Sequence, residues 1–212
     1  MKKTIFMLIL FCVFIVGANQ AQAIHIDIIP SVTNVNVGDS FSVDLFIRDL
    51  GGSDLGAFSL SLNFNDNILN FNNSVTFGTS LGDPLAGEAI TDATYRNQGI
   101  NGFVDLFDVS LLSVDELAAQ PYGFTLATIG FTVESLPTNY TGLFYLNNVV
   151  LSDAFGNDLH YDYFNTNSVT IRNDGTIITN NNNAVPEPSS IVLLGFGLFS
   201  IVGLRELRKQ VS

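Results

Sequence analysis

Tryptophan is absent from the 212 residues, cysteine occurs once and histidine twice. Lysine is confined to Lys2, Lys3 and Lys209. Each shortage bears on function. Cys12 lies in an apolar run near the start, without the small residues that precede a lipoprotein cysteine. Once that run is removed, no disulfide, thiolate metal site or cysteine nucleophile is available. Cations are nearly as scarce: over residues 24–185, Arg48, Arg96 and Arg172 stand against eighteen carboxylates, a net charge of −15. Such a surface repels nucleic-acid phosphates and anionic headgroups, which argues against nucleic acid as a partner. The acidity also suits solubility outside a cell.

Catalytic patterns are missing as well. His25 lies two residues from an expected cleavage point, and His160 has no ligand or nucleophile at a fixed spacing. The one G-x-S-x-G match, Gly78-Thr79-Ser80-Leu81-Gly82, runs into the turn signal Gly82-Asp83-Pro84 rather than the helix that a nucleophile elbow needs, and no H-E-x-x-H motif occurs. Seven of the fifteen aspartates sit beside Gly, Asn or Ser, as turn residues do. No enzyme activity, catalytic residue or cofactor is therefore expected. Asp153 to Asp158 offers clustered oxygens but does not fit the twelve-residue calcium loop. A hairpin turn is the favoured reading there, with structural calcium the alternative and no metal site assigned.

The two ends are targeting segments by their pattern. Lys2 and Lys3, the apolar run Ile5 to Ala18 and the Ala21-Gln22-Ala23 triplet have the order of a secretion signal, cleaved after Ala23 by signal peptidase. Near the other end, Asn173 to Val185 is polar, with asparagine at each position from 180 to 183, and reads as a flexible linker. Pro186-Glu187-Pro188 follows, then an apolar run to Leu204 and the cations Arg205, Arg208 and Lys209. As a helix, the run with its two serines spans about 24 Å. A bilayer core is about 30 Å thick, and snorkelling cations make up the difference. The basic cluster should stay cytoplasmic, which puts the rest of the chain outside.

The middle is β throughout. Phe41, Val43, Leu45 and Ile47 alternate with polar or half-exposed positions, as do Phe58, Leu60, Leu62 and Phe64. Further strands are expected at 25–29, 32–37, 68–71, 74–77, 102–111, 124–134, 143–151 and 166–172. Gly- and Asn-rich turns separate them. Ser113 and Glu116 have capping-box spacing for one short helix before Pro121. Many short strands punctuated this way make a sandwich or barrel.

Two resemblances sharpen these readings. The Pro-Glu-Pro triplet, apolar run and terminal cations of 185–209 look like the PEP-CTERM sorting signal. In that family the signal is recognised by exosortase, a membrane-embedded transpeptidase-like enzyme of Gram-negative, exopolysaccharide-making bacteria, and the tail is removed. The resemblance makes Pro186, Glu187 and Pro188 the recognition triplet and Arg205, Arg208 and Lys209 the stop-transfer cluster. Val37-Gly38-Asp39-Ser40-Phe41-Ser42-Val43, the strand Gly56 to Leu69 and the strand Phe124 to Val133 resemble the cohesin domain, a jelly-roll β-sandwich of about nine strands. Classical cohesins bind dockerins, but the asparagine-rich turns and solitary domain depart from that pattern, and no partner-contact residue is carried over.

The expected organisation is an all-β jelly-roll sandwich over 24–172. A signal helix over 1–23 precedes it, and a linker over 173–185 and a sorting tail over 186–212 follow. A transmembrane helix is expected at 190–204. Function is expected to be non-catalytic binding or adhesion at the cell envelope or in the extracellular matrix. The alternative is a carbohydrate-binding module for exopolysaccharide, with Tyr161 and Tyr163, two apart on one strand, as a stacking pair. Expected partners are signal peptidase, an exosortase-like enzyme, the membrane, and a surface protein or exopolysaccharide. The domain itself is expected to be monomeric.

Overall fold

The computed structural model describes residues 24–137, 141–161 and 168–180. Ten strands run in the order β1 (His25–Pro30), β2 (Ser40–Arg48), β3 (Leu55–Asn65), β4 (Leu69–Phe77), β5 (Ala89–Gln98), β6 (Asn101–Ser110), β7 (Gly123–Val133), β8 (Thr141–Asp153), β9 (Ser168–Ile171) and β10 (Ile177–Asn180). One helical turn, α1 (Val114–Leu117), lies between β6 and β7. The strands form two antiparallel sheets, β1-β2-β7-β4 and β10-β9-β8-β3-β6-β5.

Alternation puts one face of β2 and one face of β3 into a shared core. Phe41, Val43, Leu45 and Ile47 of β2 are buried, and so are Phe58, Leu60, Leu62 and Phe64 of β3. Each such side chain contributes about 2 kcal/mol by leaving water. The centre of the core is aromatic. Phe131 of β7 is flanked in register by Phe41 and Phe71 on its own sheet, and its ring lies 5.0 Å from both Phe64 and Phe144 of the other sheet. Glycine makes room for this cluster at Gly102, where a Cβ would lie 2.3 Å from Cζ of Phe64.

The all-β, two-sheet sandwich is as the pattern indicates, with differences that have local causes. The runs at 68–71 and 74–77 are one strand, β4, bent by a bulge between Phe71 and Val75 with Asn73 at φ 57°. Residues 32–37 are not a strand. They make one bridge, Asn34 to Thr176, and the Asp39 carboxylate then accepts the Asn36 N–H and fixes a turn. The expected linker does not begin at Asn173: Asp174 accepts the Thr176 N–H at 2.9 Å, and Ile177–Asn180 pairs with β9 as β10. Gly175 lets this hairpin approach residue 35, where a Cβ would lie 2.0 Å from the Val35 carbonyl oxygen. The rest of the linker, residues 181–185, lies outside the described residues.

The capping box forms as its spacing predicts: Ser113 Oγ accepts from the Glu116 N–H, and Glu116 Oε2 accepts from the Ser113 N–H at 2.8 Å. The expected hairpin at 153–158 is also present. The Asp153 carboxylate accepts the Asn157 side-chain amide and the N–H groups of Phe155 and Asn157, each at 2.8 Å, and these bonds, the Asn157 amide foremost, hold it below the usual carboxylate range. Among the described residues no helix is long and apolar enough to cross a membrane. The signal segment 1–23 and the helix expected at 190–204 lie outside those residues.

Candidate binding face

The outer face of the six-stranded sheet carries three adjacent rows of side chains across β5, β6, β3 and β8. In the first, Arg96, Phe103, Asn63 and Tyr145 are register neighbours. Thr94, Asp105, Ser61 and Asn147 make the second, and Asp92, Phe107, Ser59 and Val150 the third. The rows exist because β6 alternates on both faces, with Phe103, Asp105 and Phe107 outward and Val104, Leu106 and Asp108 inward.

A charged network pins the centre. Arg96 donates from Nε to Asp105 Oδ2 and from Nη2 to Asp105 Oδ1 at 2.8 Å. Ser61 Oγ donates to Asp105 Oδ1 at 2.5 Å. The Arg96 guanidinium holds the Asp105 carboxyl below the usual carboxylate range, against the opposing effect of partial burial. The same guanidinium lies 5.4 Å from the Phe103 ring centroid, a cation–π contact. Asn63 is fully buried between Phe103 and Tyr145, donating to the Ser61 and Tyr145 carbonyls, while its Oδ1 meets no donor among the described residues. Apolar groups flank the network in the open: Phe107 is 40 % exposed, Tyr145 48 %, Ile90 54 % and Val150 58 %. Exposed aromatic and aliphatic groups around a fixed, desolvatable arginine form the kind of surface that anchors a partner.

A second cluster ties the end of β1 to β2. Arg48 donates to Asp27 and to Asp49, each at 2.7 Å, Tyr122 Oη donates to Asp49 at 2.7 Å, and His25 Nδ1 lies 3.1 Å from Asp49. These bonds, Asp27 foremost, raise the Arg48 pKa. They tie this edge together and hold Asp49 at φ 64°, and the geometry presents no nucleophile. Among the described residues no three His, Cys, Asp or Glu side chains converge on a metal position.

Of the expected sugar-stacking pair, Tyr161 lies among the described residues. Tyr161 is 6 % exposed, belongs to the core and bridges to Ile24, so its ring offers no open platform. Beside it, Val149, Leu151, Asp158 and His160 help line an open groove of about 540 Å³. Tyr163 lies outside the described residues, and so do Ala21, Ala23, Pro186, Glu187, Pro188, Arg205, Arg208 and Lys209. The face on β5, β6, β3 and β8 escaped sequence reasoning because β5 did. The glycine of the two-residue connection Gly99-Ile100, between Gln98 and Asn101, was the available hairpin signal.

Residues 184–209 match the family model for the PEP-CTERM protein-sorting motif. The fold is similar to a type II cohesin domain from the cellulosome of Acetivibrio cellulolyticus, with TM-score 0.55 and 18% identity over 73% of this chain and 98% of that one. A type II cohesin of Bacteroides cellulosolvens matches with TM-score 0.51 and 14% identity over 64% and 91% of the two chains. The type I cohesin–dockerin complex Coh-OlpC-Doc435 from Clostridium thermocellum matches with TM-score 0.52 and 12% identity over 69% and 90%. Comparison with curated proteins returns no sequence match. The chain is thus a cohesin-like β-sandwich that carries a PEP-CTERM sorting motif.

Proposed function

We propose that this protein is a non-catalytic, exported binding module of a Gram-negative cell envelope or extracellular matrix. Signal peptidase removes residues 1–23 after Ala23. An exosortase-type enzyme reads Pro186, Glu187 and Pro188, with Arg205, Arg208 and Lys209 as the cytoplasmic stop, and trims the tail. The released or anchored sandwich binds through the outer face of its six-stranded sheet. The observation that carries this reading is the Arg96–Asp105–Ser61 network ringed by Phe107, Tyr145, Ile90 and Val150. A protein partner is favoured, because a similar sandwich is known in complex with a dockerin. Exopolysaccharide is the second reading, and the exposed ring of Tyr145 supports it.

Protein purified from its native cells should rebind cells that do not make it. Phe107→Asp combined with Val150→Asp should cut that rebinding at least ~10-fold, since two exposed anchors are lost without a core change. Intact mass should run from Ile24 to the region of Pro186 for parent and variant alike. Protease treatment of the target cells should abolish rebinding if the partner is a protein, and glycan stripping if it is a polysaccharide. Equal rebinding by the double variant would remove the face from the account. A mass that still includes residues 191–212 would remove the trimming step.

A further inference from the structure

Four strands end the two sheets: β1, β4, β5 and β10. An edge strand offers a row of unpaired N–H and C=O groups to any other chain, and folded proteins blunt it with brevity, proline, bulges or cover. Three of the four edges here are blunted. β1 ends on Pro30, β4 is bent by the bulge at Phe71–Val75, and β10 is four residues long and bonded to Thr33 through the Ile177 N–H. β5 is different. It is ten residues long and pairs with β6 in unbroken register from Ala89 to Gln98. It contains no proline or lysine, and it is exposed from Asp92 to Gln98. Among the described residues no backbone hydrogen bond covers its outer side.

The side chains of β5 say what fits there. Laid antiparallel against a second copy of itself and centred on Thr94, β5 brings Asp92 of each chain opposite Arg96 of the other. Thr94 meets Thr94, and Ile90 meets Gln98. Opposite charges and Thr–Thr pairs at directly opposed positions stabilise an antiparallel pair. The arrangement is isologous, as a two-fold dimer requires. Arg96 has a donor to spare: its Nε and Nη2 hold Asp105, and Nη1 makes no hydrogen bond among the described residues. Asp92 accepts from Thr94 Oγ1 at 3.1 Å and points along the same outer face.

We propose that two copies of this chain pair antiparallel through β5, centred on Thr94, joining their six-stranded sheets into one continuous sheet. The inference departs from the single-copy expectation of the sequence and does not depend on what the outer face binds. It puts two copies of that face side by side, so that a repetitive partner would be held at two points.

The test uses the full chain carrying Cys12→Ser, isolated in detergent, with single cysteines and a short bismaleimide crosslinker. In the proposed register the two Thr94→Cys side chains are directly opposed, about 5 Å apart. The two Ile90→Cys side chains, eight positions out of register, are about 27 Å apart. Thr94→Cys is expected to crosslink at least ~10-fold faster than Ile90→Cys. Adding Asp92→Lys to Thr94→Cys sets like charges opposite each other twice and should slow crosslinking about tenfold. Absence of Thr94 crosslinking, or equal rates at both positions, would overturn the proposal. Crosslinking that ignores Asp92→Lys would overturn the register.

Discussion

Asp108→Asn is expected to stabilise the domain at pH 8 by about 1–3 kcal/mol and to flatten its stability between pH 4 and pH 7. Asp108 is fully buried on the inward face of β6, and among the described residues neither carboxylate oxygen meets a donor. Its register neighbours are Phe58 on β3 and Thr91 on β5, neither of them charged. Burial alone pushes its pKa from 3.8 to about 7. From about pH 4 upward the unfolded chain releases this proton while the folded domain keeps it, until the pH reaches about 7. The folded state then binds the extra proton, so stability falls as pH rises through that window. Above pH 7 both states are ionised and the whole penalty is present.

The other perturbed carboxylates act in the opposite direction at lower pH. Asp105 is held low by Arg96, Asp153 by Asn157 and Asp174 by Thr176. Their contribution is present above the unfolded carboxylate pKa and is lost as pH falls below about 4. Urea unfolding at pH 4.5 and pH 8 separates the two groups. The parent should be more stable at pH 4.5, and Asp108→Asn should be nearly indifferent to the change. The amide keeps unpaired donors in the core, which is why the expected gain is smaller than the full ionisation penalty. A parent domain more stable at pH 8, with the variant following it, would mean that Asp108 has found a donor.

Phe131→Ala should cost about 3–5 kcal/mol, a large share of the 5–15 kcal/mol typical of a domain. The ring is fully buried, and four others lie within 6.2 Å of it: Phe41, Phe64, Phe71 and Phe144. They come from β2, β3, β4 and β8 of both sheets, so removing the hub leaves a cavity that neither sheet can close without moving the other. Phe155→Ala, on a ring that is 76 % exposed, should stay within about 0.5 kcal/mol. Thermal unfolding of the two variants side by side checks the difference. Similar losses from both would mean that the aromatic cluster is not the keystone of the packing.

What the sequence discloses depends on how each strand is buried. β2 and β3 are half-buried, so their period of two is plain and even their inward residues can be named. β5 is an edge exposed on both faces over most of its length; Ala-Ile-Thr-Asp-Ala-Thr-Tyr-Arg-Asn-Gln carries no hydrophobic period to read. β10 is short and ends in an asparagine run, whose composition hides two buried contacts of Ile177, with the core and with Thr33. The proposed binding face lies between strands, in pairings such as Ser61 with Asp105, and no single run displays it. Asp108 had a signal of its own. Asp108 stands between Phe107 and Val109, where a turn residue does not belong. The tail was the reverse case: its triplet, apolar run and cations are contiguous, and the motif is legible without any fold.

The outer face of the six-stranded sheet is the proposed surface that holds a partner. Its direct test is a photo-crosslinking side chain, benzoylphenylalanine, placed at Phe107 in the bacterium that makes the protein. The control position is Ser42, on the outer face of the four-stranded sheet. Light should join a cell-surface or matrix molecule to the chain from position 107 and not from position 42. No adduct from position 107, or equal adducts from both faces, would contradict the account.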